Sequence, residues 1–513
     1  MLSRVLFLLV AILSLLQSSL SVAQSGGSKS RHPSNGTDAL AACHDLEQTL
    51  SNASEVFWPN SAQYESDITR PASFFNRANA TCAIEPGTNE DVALIMSSLR
   101  NHSEAQFGIM GGGHNLNTGF SSTTGVLVSM GRFLDIDITS LSETGPDGET
   151  AIVSLGAGLQ WQDVYTRVVS QGVNVLGGRF ATVGVSGILL GGGYSWLSNR
   201  HAMAMDNIVE YTLINPADSK ILTVTNETEP DLFFALKGGL NNFGIVTNFK
   251  VKGFPQTNRV WGGTIYTQPN NSDASAAAIS NFSENNTDPD AQVIASFTYG
   301  NNTSFEVLIL FYNNENNGEP PEVFKEFLRQ VSYFFLRTFD NMTTSSLSTV
   351  GFLDGFRTQY STISLAGHPL PVVQAFQRER DVEGPKMNAL DPNFFGSWTI
   401  EPFLKSYYDQ AVDSAFPHST ANVTFPENLE LSWTDPAADE AMFASIRRST
   451  KNLVQAGVDA GQDVGFQIEY PNYALPDTPV EHIYAWNLPR LKEIRARVDP
   501  DDIMLRAGGY KIV

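Results

Sequence analysis

Three shortages bound what this chain of 513 residues can be. It has two cysteines, Cys43 and Cys82, too few for a thiolate cluster or a disulfide-built scaffold. It is short of positive charge: 32 Lys and Arg stand against 54 Asp and Glu, a net charge of −22 that repels nucleic-acid backbones and anionic membrane surfaces. Past its N-terminus it has no long uninterrupted apolar run, so nothing there reads as a membrane span. The acidic residues are scattered rather than gathered in a tail, which speaks for solubility and not for chemistry. What is plentiful is core material: 42% hydrophobic residues against 17% charged ones exclude global disorder. The length points to about two or three domains or lobes.

The exception to the missing apolar run is the N-terminus. Met1-Leu2-Ser3-Arg4 leads into an apolar stretch from Val5 to Leu16 and on to Ser21-Val22-Ala23, with small residues three and one before a cut. The stretch is about twelve residues where a bilayer needs about twenty, so 1–23 reads as a cleaved secretory signal peptide rather than an anchor. A secreted protein is expected, beginning at Gln24, with 24–38 a Ser-, Gly- and Asn-rich flexible lead. N-x-S/T triplets at Asn35, Asn52, Asn79, Asn101, Asn226, Asn270, Asn281, Asn285, Asn301, Asn302, Asn341 and Asn422 fit a glycosylated secretory chain. In an oxidising compartment Cys43 and Cys82 are most simply one disulfide. A metal site, the alternative, finds only His102 and His114 nearby and no second ligand cluster; no metal is expected.

From 39 to 255 short β-type runs alternate with helical segments and glycine turns. Ala151–Leu155, Ile208–Ile214, Ile221–Val224 and Gly244–Val251 read as strands, Trp161–Gln171 and Asp231–Leu236 as helices. From 256 to 462 glycines thin out, with strands expected at Val293–Tyr299 and Phe305–Phe311 and helices at Pro321–Val331 and Ala438–Gln455. The segment 463–513 carries a helix over Pro489–Val498, opened by proline and closed by Asp499-Pro500. The fold class is α+β, with two lobes.

Two glycine clusters stand out. Met110-Gly111-Gly112-Gly113-His114-Asn115 follows a strand-like run; consecutive glycines let backbone N–H groups surround an anion such as a pyrophosphate. It is neither a P-loop, which needs a Lys after its last Gly, nor a dinucleotide fingerprint before a helix, and alone it could be a structural turn. The second cluster runs Gly177-Gly178-Arg179-Phe180-Ala181-Thr182-Val183-Gly184-Val185-Ser186-Gly187, then Gly191-Gly192-Gly193-Tyr194, and closes on Asp206-Asn207-Ile208.

The order of these motifs resembles the FAD-binding domain of the vanillyl-alcohol oxidase and p-cresol methylhydroxylase superfamily, in its berberine-bridge-enzyme-like branch. The likeness continues through Asp231-Leu232-Phe233-Phe234-Ala235-Leu236-Lys237-Gly238-Gly239 and Asn242-Phe243-Gly244-Ile245-Val246-Thr247, and at the far end through Tyr470-Pro471-Asn472-Tyr473-Ala474 and Asn487-Leu488-Pro489-Arg490-Leu491. It covers about 60–255 and 465–513 and implies a two-lobed PCMH-type fold. Residues 39–255 would bind FAD, 256–462 would form a substrate domain on an antiparallel sheet with flanking helices, and 463–513 would return to the FAD domain.

The resemblance also implies site residues. His114 would be joined covalently to the flavin 8α-methyl. Gly111, Gly112, Gly113, Asn115, Thr182, Val183, Gly184, Gly187, Gly192, Asp206, Asn207, Ile208, Ile245, Val246, Tyr470 and Asn472 would line the cofactor. Phe180 stands where double-linked relatives carry Cys, so a second link is excluded, and Met110 replaces the basic residue that often opens the first motif. Val183, at the position that governs oxygen access, implies an oxidase that passes electrons to O2 and releases H2O2. Oxidation of a C–H bond by flavin needs a base on the substrate side. Tyr470, if its pKa is lowered, is the candidate, with Glu469 beside it on an expected strand Phe466–Tyr470 and Tyr194 as a lining residue. The expected substrate is a small hydroxylated or aromatic metabolite, with a carbohydrate as the close alternative and a non-catalytic binding protein as the distant one; a monomer is expected.

One outcome follows from the sequons and the leader. The protein recovered from a eukaryotic secretion host should lose mass on treatment with peptide N-glycosidase, read on a denaturing gel; an unchanged mass overturns the expectation.

Overall fold

The structure, a computed structural model, describes residues 36–513 except 257–258, 268–270, 330–332, 340–354, 420–422 and 465–467. The leader 1–23, the lead as far as residue 35, and Asn35, Asn270, Asn341, Asn422, Phe466 and Gln467 lie outside the described residues. The lead ends sooner than residue 38: Gly36–Thr49 is a helix that buries Ala39, Ala42, Cys43 and Leu46, an i, i+3, i+4, i+7 stripe. A disulfide from Cys43 to Cys82 ties this helix to the first sheet.

That sheet has four strands, β1 (Glu55–Phe57), β2 (Cys82–Glu85), β3 (Phe107–Met110) and β4 (Val126–Ser129), in the order β1-β2-β4-β3. Its parallel pairs β2/β4 and β3/β4 read as unbroken apolar runs, since both faces are covered. The second sheet holds β5 (Ile136–Ser140), β6 (Ala151–Gly156), β7 (Val173–Asn174), β8 (Ile208–Ile214), β9 (Ile221–Val224) and β10 (Ile245–Pro255), all antiparallel. The strands and helices expected in this half are present; the first helix runs Trp161–Val169 and the second Pro230–Leu236.

The third sheet is a seven-stranded antiparallel layer: β11 (Val260–Thr267), β12 (Ala291–Gly300), β13 (Thr303–Tyr312), β14 (Tyr333–Phe339), β15 (Arg357–Leu365), β16 (Phe395–Ile400) and β17 (Phe425–Trp433), ordered β14-β11-β13-β12-β16-β17-β15. Period-two alternation gives it two unlike faces. Ala295, Phe297, Leu308, Leu310, Trp398, Leu429, Leu431 and Ile363 pack under the helices Leu370–Leu390 and Asp439–Asp459. The other face is hydroxyl-rich in its middle: Ser296 bonds Thr399 at 2.8 Å, Thr399 bonds Ser397 at 3.0 Å, and Thr358 bonds Ser432 at 2.9 Å.

The structure departs from the sequence reading at three places. The sequence reading named no helix over Leu370–Leu390; the helix runs through Gly384-Pro385, and the Tyr299 ring occupies the space a Cβ at Gly384 would need, at 2.4 Å. The helix expected at Pro321–Val331 is a short 3₁₀ turn, Glu322–Phe324, followed by the single turn Lys325–Leu328. Residues 468–470 are not a strand. The lobes also share a core: Ile294, Val307, Ile309, Phe311, Phe403 and Tyr407 pack in one cluster with Trp196, Tyr194 and Tyr470. The eight described sequon asparagines, Asn52, Asn79, Asn101, Asn226, Asn281, Asn285, Asn301 and Asn302, are all exposed.

The disulfide closes a loop across a sequence separation of 39 residues. In the chain-entropy account such a cross-link stabilises by about 4 kcal/mol. Replacing both cysteines by Ala should therefore lower the thermal unfolding midpoint by several degrees, as followed by circular dichroism.

Candidate active site

β3 ends at the fully buried Met110, and the chain turns through Gly111-Gly112-Gly113. A Cβ on Gly112 would lie 2.5 Å from the Gly184 nitrogen and one on Gly111 2.2 Å from Ser186 Oγ, so the two glycine clusters touch backbone to backbone. Gly113 has φ +75°, which a side chain would strain. The Cα of Gly187 faces open space, while Gly119 has its N–H donated to Asn76 Oδ1 at 3.1 Å and its carbonyl packed against Gly508. His114 is partly exposed at the end of the turn; burial holds its imidazole down to about 4, against a backbone hydrogen bond with Thr182. It is therefore neutral at physiological pH. Asn115 braces the turn, its Oδ1 accepting from the Asn117 N–H at 2.9 Å. The positive charge that Met110 does not supply comes from Arg70, whose Nη1 donates to the Gly111 carbonyl at 3.4 Å while Nη2 pairs with Asp67 at 2.5 Å.

The second cluster leads into the helix Val185–Gly191 and then Gly192 and Gly193 with φ +115° and +88°. Val183 is partly exposed, its carbonyl accepting from the Trp161 N–H at 3.0 Å. Gly192 and Gly193 accept from the Met205 and Ala204 N–H groups, which places Asp206, Asn207 and Ile208 behind the glycines. Asp206 binds the Met203 N–H at 2.8 Å and His418 Nε2 at 2.9 Å, and Asn207 donates to the carbonyls of His201 and Met203. Ile208, Ile245 and Val246 are core residues of β8 and β10. These five support the turn from beneath. The glycine turns, the open Cα face of Gly187 and the neutral His114 fit a flavin dinucleotide.

Above the glycines stands a phenol cluster. Tyr470 is buried, its hydroxyl accepting from the Gly193 N–H at 3.1 Å and the Asn472 amide at 2.9 Å. Asn472 also reaches the Gly187 carbonyl. Burial nonetheless pushes Tyr470 up to about 12, those two bonds opposing it, so the lowered pKa that a base role requires is not met; its own O–H, with no acceptor among the described residues, is a donor toward the site. Tyr194 lies edge-on to Tyr470 at 4.8 Å and against Phe403 at 5.0 Å, and burial raises its pKa too. Glu469 points elsewhere, to Thr478 at 2.9 Å and His482 at 3.1 Å.

Sequence reasoning passed over the polar centre of this cluster. Arg179, 5% exposed, pairs with Glu401, 4% exposed, and donates to the Tyr473 hydroxyl at 3.2 Å; Tyr473 donates to Glu401 Oε1 at 3.1 Å. Burial works against the Arg179 charge, but Glu401 outweighs it and the pKa is raised. Arg179 and Tyr473 lay inside motifs already singled out, where an arginine in an otherwise apolar glycine loop was the available signal. Glu401, just past β16, had none, since only the fold brings it to residues 179 and 473.

Comparison with known proteins agrees with this geometry. A family described as "FAD binding domain" matches residues 80–225. The FAD-dependent monooxygenase drtC of Aspergillus calidoustus is 34% identical over 253 residues, 49% of this chain and 47% of the relative, so the chain matches about half of that protein's length. The FAD-dependent monooxygenase tpcD of Cochliobolus heterostrophus is 26% identical over 90% of this chain and 89% of its own. Among solved structures, BBE-like 1 of Physcomitrella patens superposes with a TM-score of 0.72 at 17% identity, covering 90% of this chain and 97% of that one. The carbohydrate oxidase of Microdochium nivale gives 0.71 at 19%, covering 93% and 100%. These two likenesses establish the fold.

Removing one member of a buried ion pair strands the other charge and costs about 3–5 kcal/mol. Arg179→Met should therefore destabilise the protein strongly, and adding Glu401→Gln should recover most of the loss, as read by chemical denaturation of the single and double variants.

Proposed function

We propose that the chain is an FAD-linked oxidoreductase of the vanillyl-alcohol oxidase and p-cresol methylhydroxylase superfamily, in the berberine-bridge-like branch, and that it is a secreted, glycosylated oxidase carrying FAD covalently on His114. The observation that carries the reading is the neutral imidazole of His114 at the end of a triglycine turn packed against Gly184. Exposure of all eight described sequons and the Cys43–Cys82 bridge support the secretory part.

When bound, FAD supplies the acceptor for a hydride from a substrate C–H bond and hands the electron pair to O2, giving H2O2. The protein's part is to position the substrate and take its hydroxyl proton. Tyr473 and Glu401 fit the second task as a relay: burial raises the Tyr473 phenol well above its ordinary range, so it stays protonated and hands a proton on rather than acting as a phenolate base. As the substrate O–H gives its proton to the Tyr473 oxygen, Tyr473 passes its own to Glu401 Oε1, 3.1 Å away. Arg179 fixes both acceptors, while Tyr470 offers its O–H to the substrate or cofactor edge. Tyr194, Phe403, Tyr473 and Tyr360 supply aromatic walls, which favours a small hydroxylated aromatic metabolite. The hydroxyl-rich middle of the third sheet supports a second reading, a carbohydrate substrate, in keeping with the fold of the Microdochium nivale enzyme.

Acid precipitation of the purified protein should leave yellow flavin in the pellet, and in His114→Ala the colour should move to the supernatant. A protein without flavin in either fraction removes the assignment. In a peroxide-coupled screen, Tyr473→Phe should lower kcat by about 10²-fold or more with little change in KM, the scale of a lost general base.

A further inference from the structure

A second carboxyl group stands on the same sheet face as Glu401 and differs from it in every partner. Glu430 of β17 is paired in register with Tyr360 of β15 and Ser397 of β16, and its side chain keeps partial exposure among buried neighbours. Alternation separates it from Leu429 and Leu431, which face the helices. The Ser432 hydroxyl donates to its Oε1 at 3.3 Å, and no cation pairs with it among the described residues. The charged and titratable groups around it are otherwise engaged. Glu401 and Tyr473 are held by Arg179, and Glu427, on the same strand, is bound to His368 at 2.5 Å. Tyr360, whose ring meets Tyr473 edge-on at 5.8 Å, has its pKa raised by burial and then by Glu430. Burial lifts Glu430 itself to about 7, against the Ser432 bond.

Two carboxyl groups in one site, one locked to a cation and one without, divide their roles. We infer that Glu430 is a substrate-contacting residue, the anchor on the sheet wall that accepts from a hydroxyl or protonated amine of the substrate and disfavours a carboxylate. It rests on the oxidoreductase reading above and extends it to substrate choice. With the Arg179 charge cancelled by Glu401, the unpaired Glu430 decides which polar groups may enter. Ionised, it repels an anion and leaves a hydroxyl donor well bound; protonated, it tolerates both.

The test uses the flavin-loaded full chain, wild type and the isosteric Glu430→Gln, with Glu469→Gln as comparison. Binding of 4-hydroxybenzyl alcohol and 4-hydroxybenzoate is followed by perturbation of the visible flavin spectrum from about pH 5 to about pH 9, a window spanning a carboxyl lifted to neutrality. Wild type should favour the alcohol by about tenfold at the alkaline end, losing the preference with a midpoint near neutrality as the pH falls. Glu430→Gln should bind the two probes alike throughout, and Glu469→Gln, whose carboxyl faces Thr478 and His482 instead, should keep the pH-dependent preference. A preference that survives in Glu430→Gln, or a flavin-bearing wild type that binds neither probe or both alike at alkaline pH, overturns the inference. A colourless wild type instead sinks the oxidoreductase reading on which it rests.

Discussion

The buried pair of Arg179 and Glu401 is the point on which the site closes. It joins a flavin-side glycine loop to the end of β16, and through Tyr473 it takes in the C-terminal segment, so three stretches distant in sequence meet around one guanidinium. Such a pair gains little over an apolar contact of the same shape. Its worth here is geometric: a planar cation with fixed donors admits one arrangement of the carboxylate and the phenol. Trp196 and Phe403 lie within 5.7 Å and 5.6 Å of its centre, adding rings that exclude water from the bonds.

Two other buried pairs extend the same arrangement outward. His418 and Asp206 staple the segment between β16 and β17 to the turn beneath Gly192, and Val412 adds its N–H to the same carboxylate. Asp206 outweighs the burial that would otherwise neutralise His418, whose pKa is raised. His368 and Glu427 hold the other side, Glu427 accepting the Glu401 N–H at 3.1 Å and so fixing the backbone that presents the Glu401 carboxylate. Charges in this protein's interior thus sit at joints between segments, where direction matters more than depth of burial.

The parts of this architecture that were legible in sequence are those written in local chemistry. Glycine spacing announced the two turns, β-branched runs announced β6, β8, β9 and β10, and Pro489 marked the last helix. The helix Leu370–Leu390 went unread: it contains Gly384-Pro385, where Gly makes room for the ring of Tyr299, a contact between residues some eighty positions apart. Tyr470 stands beside Gly193, and its proton affinity depends on how deeply the fold buries it, which no motif records. Glu401, just past β16, and Glu430, on β17, follow an alternation that shows two faces without telling which face meets the cofactor lobe.

The chain's final residues complete its first sheet. Ala507 pairs with Phe107 of β3, Arg506 donates to the carbonyls of Leu99, His102 and Ala105 at the end of the helix Asn89–Asn101, and the Ile512 N–H binds Asn242. Tyr470 and Asn472, which close over Gly193 and Gly187, belong to the same late segment. During synthesis the cofactor lobe therefore waits, with one sheet edge and its glycine turns uncovered, until residues 470–512 have left the ribosome. A chain cut short before residue 470 would keep both glycine motifs and lack the Tyr470 and Asn472 side chains that close over them.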